Sequence, residues 1–156
     1  MKNIVLVRID ERLIHGQVMT RIVRDTHFDT IEIVDDKISK DSFLKQVTTM
    51  AVPKEFKGLV HSVEEAADFL LGESEGESLL LLVKTPEPIE QLLEKGVKLS
   101  TVNLGGMGAK PGRKTVMKSI SISPEEIETL KRIEAQGINV YAQIVPGDKK
   151  LKIEDL

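Results

Sequence analysis

The chain of 156 residues has no cysteine, no tryptophan, one tyrosine and four phenylalanines. Without cysteine it has no disulfide framework, no thiolate catalyst and no cysteine-held zinc. So few aromatic rings leave little on which single-stranded nucleic acid could stack. A formal net charge of -3 argues against a general nucleic-acid binder. No apolar run approaches the roughly 20 residues that a membrane-spanning helix needs. The first residues enter a strand pattern at once, without the basic and apolar regions of a signal peptide, so the expected location is cytoplasmic. A hydrophobic content of 40% with 30% charged residues is ordinary for a globule with a real core, and the expectation is one domain over residues 1–156.

Apolar periodicity then sets out alternating strands and helices. Strand patterns fall at 3–7, 30–34, 57–61, 79–83, 99–103, 119–122 and 139–144. Leu79-Leu80-Leu81-Leu82-Val83 is continuously apolar, which suits a central parallel strand covered on both faces. Between the strands, helical spacing groups Val18, Met19, Ile22 and Val23, then Phe43, Leu44, Val47, Met50 and Ala51 between about Lys40 and Pro53, then Val63, Ala66, Ala67, Leu70 and Leu71. Ser62 to Glu65 and Ser123 to Glu126 read as capping boxes. Thr85 reads as a helix cap with Pro86 at the first helical position. Asp35-Asp36 reads as a turn and cap. The pattern predicts a three-layer α/β/α sandwich on a central, largely parallel sheet of about six to seven strands. The tail after Pro146 is charged, with Leu151 and Ile153 able to dock.

One stretch concentrates chemistry. Arg8, Asp10, Arg12 and His15 crowd between the first strand and the first helix, where open α/β sheets bind ligands. A neutral imidazole is a nucleophile near neutral pH. Arginine offers permanent charge and forked donors to phosphate. The backbone N–H groups from Gly16 onward, at the positive end of a helix, favour an anion. A nucleophile, two clamps and a helix start together suit acceptance of a phosphoryl group. Asp10 can orient an arginine or the imidazole.

Other features point less sharply. Gly105-Gly106-Met107-Gly108 with Lys110, Arg113 and Lys114 lacks both the P-loop string and the helix that a dinucleotide fingerprint requires. It reads as a flexible rim ending in a solvated basic turn. His15, His27, His61 and the Asp35-Asp36 pair could serve a metal-dependent hydrolase, but the histidines lack metal-ligand spacing. A non-catalytic ligand-binding or regulatory module is the other alternative.

The wording of the loop adds to this. Arg8-Ile9-Asp10-Glu11-Arg12-Leu13-Ile14-His15-Gly16-Gln17-Val18 resembles the active-site segment of IIB components of the bacterial phosphoenolpyruvate:sugar phosphotransferase system, in the mannose/fructose/sorbose family. Val102-Asn103-Leu104-Gly105-Gly106 and Val140-Tyr141-Ala142-Gln143 are also similar to that family, and the resemblance covers essentially the whole chain. It implies that His15 is phosphorylated by a IIA component, on the ring nitrogen nearer the backbone. It further implies transfer to a sugar of the mannose, fructose, sorbose or N-acetylgalactosamine class in a membrane IIC/IID complex. Arg8, Arg12, Gly16 and Thr85 are then expected to bind phosphate, and Asp10 and Gln17 to orient, with no metal or cofactor. The same resemblance implies a central first strand flanked by the fourth and fifth, with the Thr85 and Gly105-Gly106 loops beside His15.

Overall fold

The computed structural model describes residues 1–156. In chain order the strands are β1 (Asn3–Asp10), β2 (Thr30–Val34), β3 (Lys57–His61), β4 (Ser78–Val83), β5 (Thr101–Gly106), β6 (Lys114–Met117), β7 (Ile120–Ile122), β8 (Asn139–Ala142) and β9 (Leu151–Lys152). The helices are α1 (Gly16–Asp25), α2 (Asp36–Lys40), α3 (Ser42–Ala51), α4 (Val63–Leu71), α5 (Glu87–Glu94) and α6 (Pro124–Glu134), with a final 3-10 turn at Ile153–Asp155. A seven-stranded sheet runs in the order β3-β2-β4-β1-β5-β8-β9. All its pairings are parallel except β8 with β9.

The sheet has a hydrophobic layer on each face, as the sequence predicts. On one face Leu79, Leu81 and Val83 of β4 meet Ala66 and Leu70 of α4, Ile89 and Leu92 of α5, and Leu130 and Ile133 of α6. On the other face Leu80 and Leu82 meet Val18, Met19 and Ile22 of α1. The apolar run of β4 is therefore buried on both sides, which explains why it does not alternate. Both expected capping boxes form. Asp35 accepts from the Ile38 N–H and Asp36 from the Val63 N–H, so this pair caps helices. Ile153 of the tail docks in the core.

The structure departs from the sequence reading in four places that matter here. The segment at 119–122 does not join the sheet; β7 pairs antiparallel with β6 as a separate hairpin, tied to the end of β5 by a bridge from Ile120 to Met107. The helix expected from about Lys40 begins at Ser42, capped by the Asp41 carboxylate accepting from the Phe43 and Leu44 N–H groups, and a separate short helix, α2, precedes it. The apolar face of α3 is unpaired: Phe43 and Met50 are 69% and 75% exposed, and no residue of that helix is buried. Amphipathic spacing marks a helix face but not what lies opposite it. Finally, β1 and β5 run three residues further than expected, so Arg8, Asp10, Gly105 and Gly106 are strand residues and the two glycines are buried.

β1 lies at the centre, between β4 and β5. Its following helix covers one face, while those following β4 and β8's predecessor β7 cover the other. The chain thus diverges at the carboxyl end of β1, where an α/β sheet opens a crevice.

Candidate functional site

Asp10, the last residue of β1, is the hub of that crevice. Its carboxylate is 0% exposed. Oδ1 accepts from the Arg12 backbone N–H (3.1 Å) and Nε (2.9 Å). Oδ2 accepts from Arg12 Nη2 (2.9 Å) and Arg8 Nη2 (3.1 Å). Burial opposes ionisation, but the Arg12 hydrogen bonds and both guanidinium charges outweigh it and hold the carboxyl below its ordinary range.

Arg8 is not the expected phosphate clamp. It is 1% exposed and its donors are spent internally: Nη1 donates to Asn103 Oδ1 (2.6 Å) and the Gln143 carbonyl (3.4 Å), and Nη2 to Asp10 and the Ile144 carbonyl (2.6 Å). Burial lowers its pKa and Asp10 partly restores it. Arg8 therefore anchors Asp10. This gives the two later segments a physical role: Asn103 and Gln143 exist around Arg8, and the Asn103 amide also donates to the Gln143 carbonyl (3.0 Å). Gly105 is the floor beneath the same guanidinium. A methyl there would stand 2.1 Å from Arg8 Cζ, and one at Gly106 would stand 2.8 Å from Arg12 Nη2. The glycine pair is thus no flexible rim. With Arg8 held by four bonds it cannot swing aside, so Gly105→Ala is expected to destabilise the fold by about 1–3 kcal/mol. A urea midpoint unchanged from wild type would refute that packing.

After Asp10 the chain turns sharply, with the Leu13 N–H donating to the Asp10 carbonyl (2.9 Å). Leu13 has a φ of 57°, and no other residue except glycine is positive. Such a conformation costs about 1–3 kcal/mol for a side-chain-bearing residue and gathers at functional loops; here the buried Leu13 side chain holds it. The turn delivers His15 to the N-cap of α1. Its side chain is 27% exposed, and Nε2 stands 3.5 Å from Asp10 Oδ2, buried and without a hydrogen bond. No side chain caps α1 and no acid lies in its first turn. The first N–H groups of the helix, from Gly16 on, remain orphan donors, and the space around Gly16 is open.

Arg12 keeps one edge on Asp10, and its side chain is 44% exposed, leaving N–H groups free. The Asp10 bonds hold it more firmly protonated than usual. On its far side lies a pocket of about 350 Å3 that includes Gly106, Gly108, Ser119 and Lys118. His15 itself lines a groove of about 440 Å3 with Met19, Val23, Ala51 and Phe56. Gln17 is exposed and its side chain makes no hydrogen bond, because it lies on the outer side of the first helical turn. Thr85 lines two other depressions, with Glu87 in both, and neither includes His15. Its hydroxyl makes no cap, and α5 begins after Pro86.

The remaining histidines are elsewhere. His61 Nδ1 lies 2.8 Å from Glu32 Oε1; burial raises the Glu32 carboxyl and His61 partly offsets it. His27 is exposed. No three His, Asp or Glu side chains gather as a metal site.

Residues 4–156 match the family described as PTS system sorbose subfamily IIB component. The chain belongs to that family. The mannose-specific EIIAB component of Escherichia coli K12 is 36% identical over 155 residues, covering 97% of this chain and 47% of the relative, so the chain spans about half of that protein. The fructose-specific EIIB component of Bacillus subtilis is 35% identical, covering 95% of this chain and 91% of the relative. The crystal structure of the IIBSor domain of the sorbose permease from Klebsiella pneumoniae superposes with a TM-score of 0.91 at 29% identity, covering 98% and 94% of the two chains. That of manxB from Thermoanaerobacter tengcongensis gives 0.92 at 34% identity, covering 99% and 95%. The relatives are named as components of sugar-specific PTS systems. No helix is long and apolar enough to cross a membrane.

Proposed function

We propose that His15 accepts a phosphoryl group from a phosphohistidine of a IIA component and passes it to a hydroxyl of a sugar held by a membrane IIC/IID complex. In the first step the N–P bond of the donor breaks as an N–P bond forms at His15. In the second the His15 N–P bond breaks as an O–P bond forms on the sugar, whose hydroxyl proton leaves. Both are in-line displacements, in which a protein contributes position and charge stabilisation. The protein then acts as a protein-phosphohistidine–sugar phosphotransferase of the EC 2.7.1 class, working at the cytoplasmic face of the membrane and peripheral to the permease.

The observation that carries this reading is the placing of His15 between Asp10 and the uncapped start of α1. With Nε2 3.5 Å from the ionised Asp10 carboxylate, the negative charge favours the proton on Nε2, which leaves the lone pair on Nδ1, the nitrogen nearer the backbone. The free N–H groups from Gly16 and the outer edge of Arg12 supply donors for an equatorial phosphoryl oxygen. Asp10 orients both. Relatives of this chain carry names specific for mannose, fructose, sorbose and N-acetylgalactosamine; we assign the choice among such sugars to the membrane subunits.

The test is incubation with phosphoenolpyruvate, the general phosphocarriers and IIA, followed by mass spectrometry. One acid-labile phosphate on His15 is expected, and a chain left unlabelled would favour a non-catalytic module. Within this reading Arg12→Lys is expected to slow transfer by about 2–3 kcal/mol in the barrier, as for loss of one oxyanion donor. An ammonium is a point charge without the planar fork, so it cannot grip both Asp10 oxygens side-on and present a second, fixed edge outward. Transfer by Arg12→Lys at the wild-type rate would remove Arg12 from the phosphate.

A further inference from the structure

Arg113 stands in a glycine-rich connection and reads from sequence as a solvated basic turn. Its side chain is instead 1% exposed, and all three of its nitrogens donate hydrogen bonds. Nη1 donates to Glu11 Oε1 and to the Gly108 carbonyl (2.8 Å), while Nε and Nη2 donate to the two oxygens of Glu126 (2.9 and 2.8 Å). Glu11 Oε2 in turn accepts from the Gly108 N–H (2.8 Å). Glu126 is itself fixed, since it is the third-position glutamate of the capping box that starts α6. Burial works against the Arg113 cation, but the hydrogen bonds and charges of Glu126 and Glu11 outweigh it and hold it protonated. Hiding a guanidinium is costly unless its donors are met, and here two carboxylates and a carbonyl meet them.

Glu11 is the residue this knot secures, and it lies between Asp10 and Arg12. Its backbone N–H donates to the Gly106 carbonyl (3.0 Å), and it is the first central residue of the turn closed by Asp10 and Leu13. The second central residue of that turn is Arg12. We propose that Arg113 is a positioning residue for phosphoryl transfer: by clamping Glu11 to Gly108 and to the start of α6, it fixes the turn from which Arg12 presents its free N–H groups. This rests on the phosphoryl-transfer reading of the site. The rigid base is α6 and the lever is the Asp10–Leu13 turn. Without the clamp the turn keeps its Asp10 bonds and Glu11's own bonds to Gly106 and Gly108, but loses its tether to α6.

Two variants and two readouts test this. Arg113→Gln removes the fork and leaves two carboxylates facing each other. Glu11→Gln keeps an acceptor for the Gly108 N–H and removes only the ion pair, at a side chain that is partly exposed. Single-turnover transfer from phosphorylated IIA is measured over a range of donor concentrations. The expected result is a limiting rate reduced by about 10- to 100-fold in both variants, in keeping with the cost of a small misplacement near the reacting atoms. The half-saturating donor concentration should change by less than about twofold, since binding is not what is lost. Arg113→Lys, which keeps charge without the fork, should recover only part of the rate. The Arg12 Nε–H resonance, followed by NMR with no donor present, should move in both variants.

Limiting rates within about twofold of wild type in folded variants, or a loss confined to half-saturation, would overturn the proposal. If Arg113→Gln fails to fold, Glu11→Gln decides alone. An unlabelled wild type with a shifted Arg12 resonance in the variants would leave the clamp standing and remove the phosphoryl-transfer reading. An unmoved resonance would remove the clamp.

Discussion

His15→Ala is expected to lose all phosphate labelling while remaining folded. The imidazole is the nucleophile in the proposed transfer, and alanine offers nothing in its place. Its structural share is small: the ring makes no hydrogen bond, does not cap α1 and is partly exposed. Stability should therefore stay within about 0.5 kcal/mol of wild type, as for substitutions away from packing and hydrogen-bond networks. The measurement is intact-mass analysis after incubation with the upstream carriers, with urea denaturation as the control for fold. Stoichiometric phosphate on His15→Ala would move the chemistry to another residue and dissolve the role given to Asp10.

Asp10→Asn is expected to cost about 3–5 kcal/mol of stability, the range for removing one partner from a buried ion pair. The amide nitrogen would face guanidinium donors at an oxygen position that now accepts only. Arg8 would keep Asn103 and two carbonyls but lose its counter-charge. The effect carries a pH signature. The folded Asp10 carboxyl is held below its ordinary range, so its contribution is fully present above the unfolded pKa of about 3.9 and is lost as pH falls through the lower folded value. Wild type and Asp10→Asn should differ most near neutrality and converge in acid. A gap in urea midpoints that stays constant down to acid unfolding would show that Asp10 acts by shape and not by charge. Transfer should suffer as well, because Arg12 would lose its carboxylate anchor and His15 the negative charge beside Nε2.

Much of this fold was legible in periodicity because the relevant forces are local. The β4 run, the Ser62 and Ser123 caps and the helix start at His15 each follow from a few adjacent residues, and the structure contains all of them. The partners of charged residues were not legible. Arg8 and Arg12 look alike in the sequence, yet one is an internal strut and the other a half-exposed donor. The difference lies in Asn103, Gln143 and Ile144, which reach Arg8 only through the order of strands. Arg113 looked solvated for the same reason, since Glu11 and Glu126 come to it from two other elements. The exposed face of α3 shows a third limit: an apolar stripe records a preference, not a neighbour. The sequence does carry one signal of this packing. Two adjacent glycines ending a strand pattern, with one arginine in the first strand and a second in the turn after it, mark a place where large side chains press on backbone.

The reach of Arg8 also sets an order in time. Apart from Asp10, its partners lie 95 to 136 residues downstream, and β1 is flanked by strands from the middle and later parts of the chain. A ribosome that has just released β1 has made the first half of the site, yet nothing that can hold it. Pairing with β4 comes after some 70 further residues and with β5 about 20 after that. Only when residue 144 emerges do the last two carbonyls close over the guanidinium. A loop written around Arg8 and Asp10 thus becomes whole only after a segment up to 136 residues downstream has been made, and an ordered Asp10 in effect reports that the strands in between have already found their places.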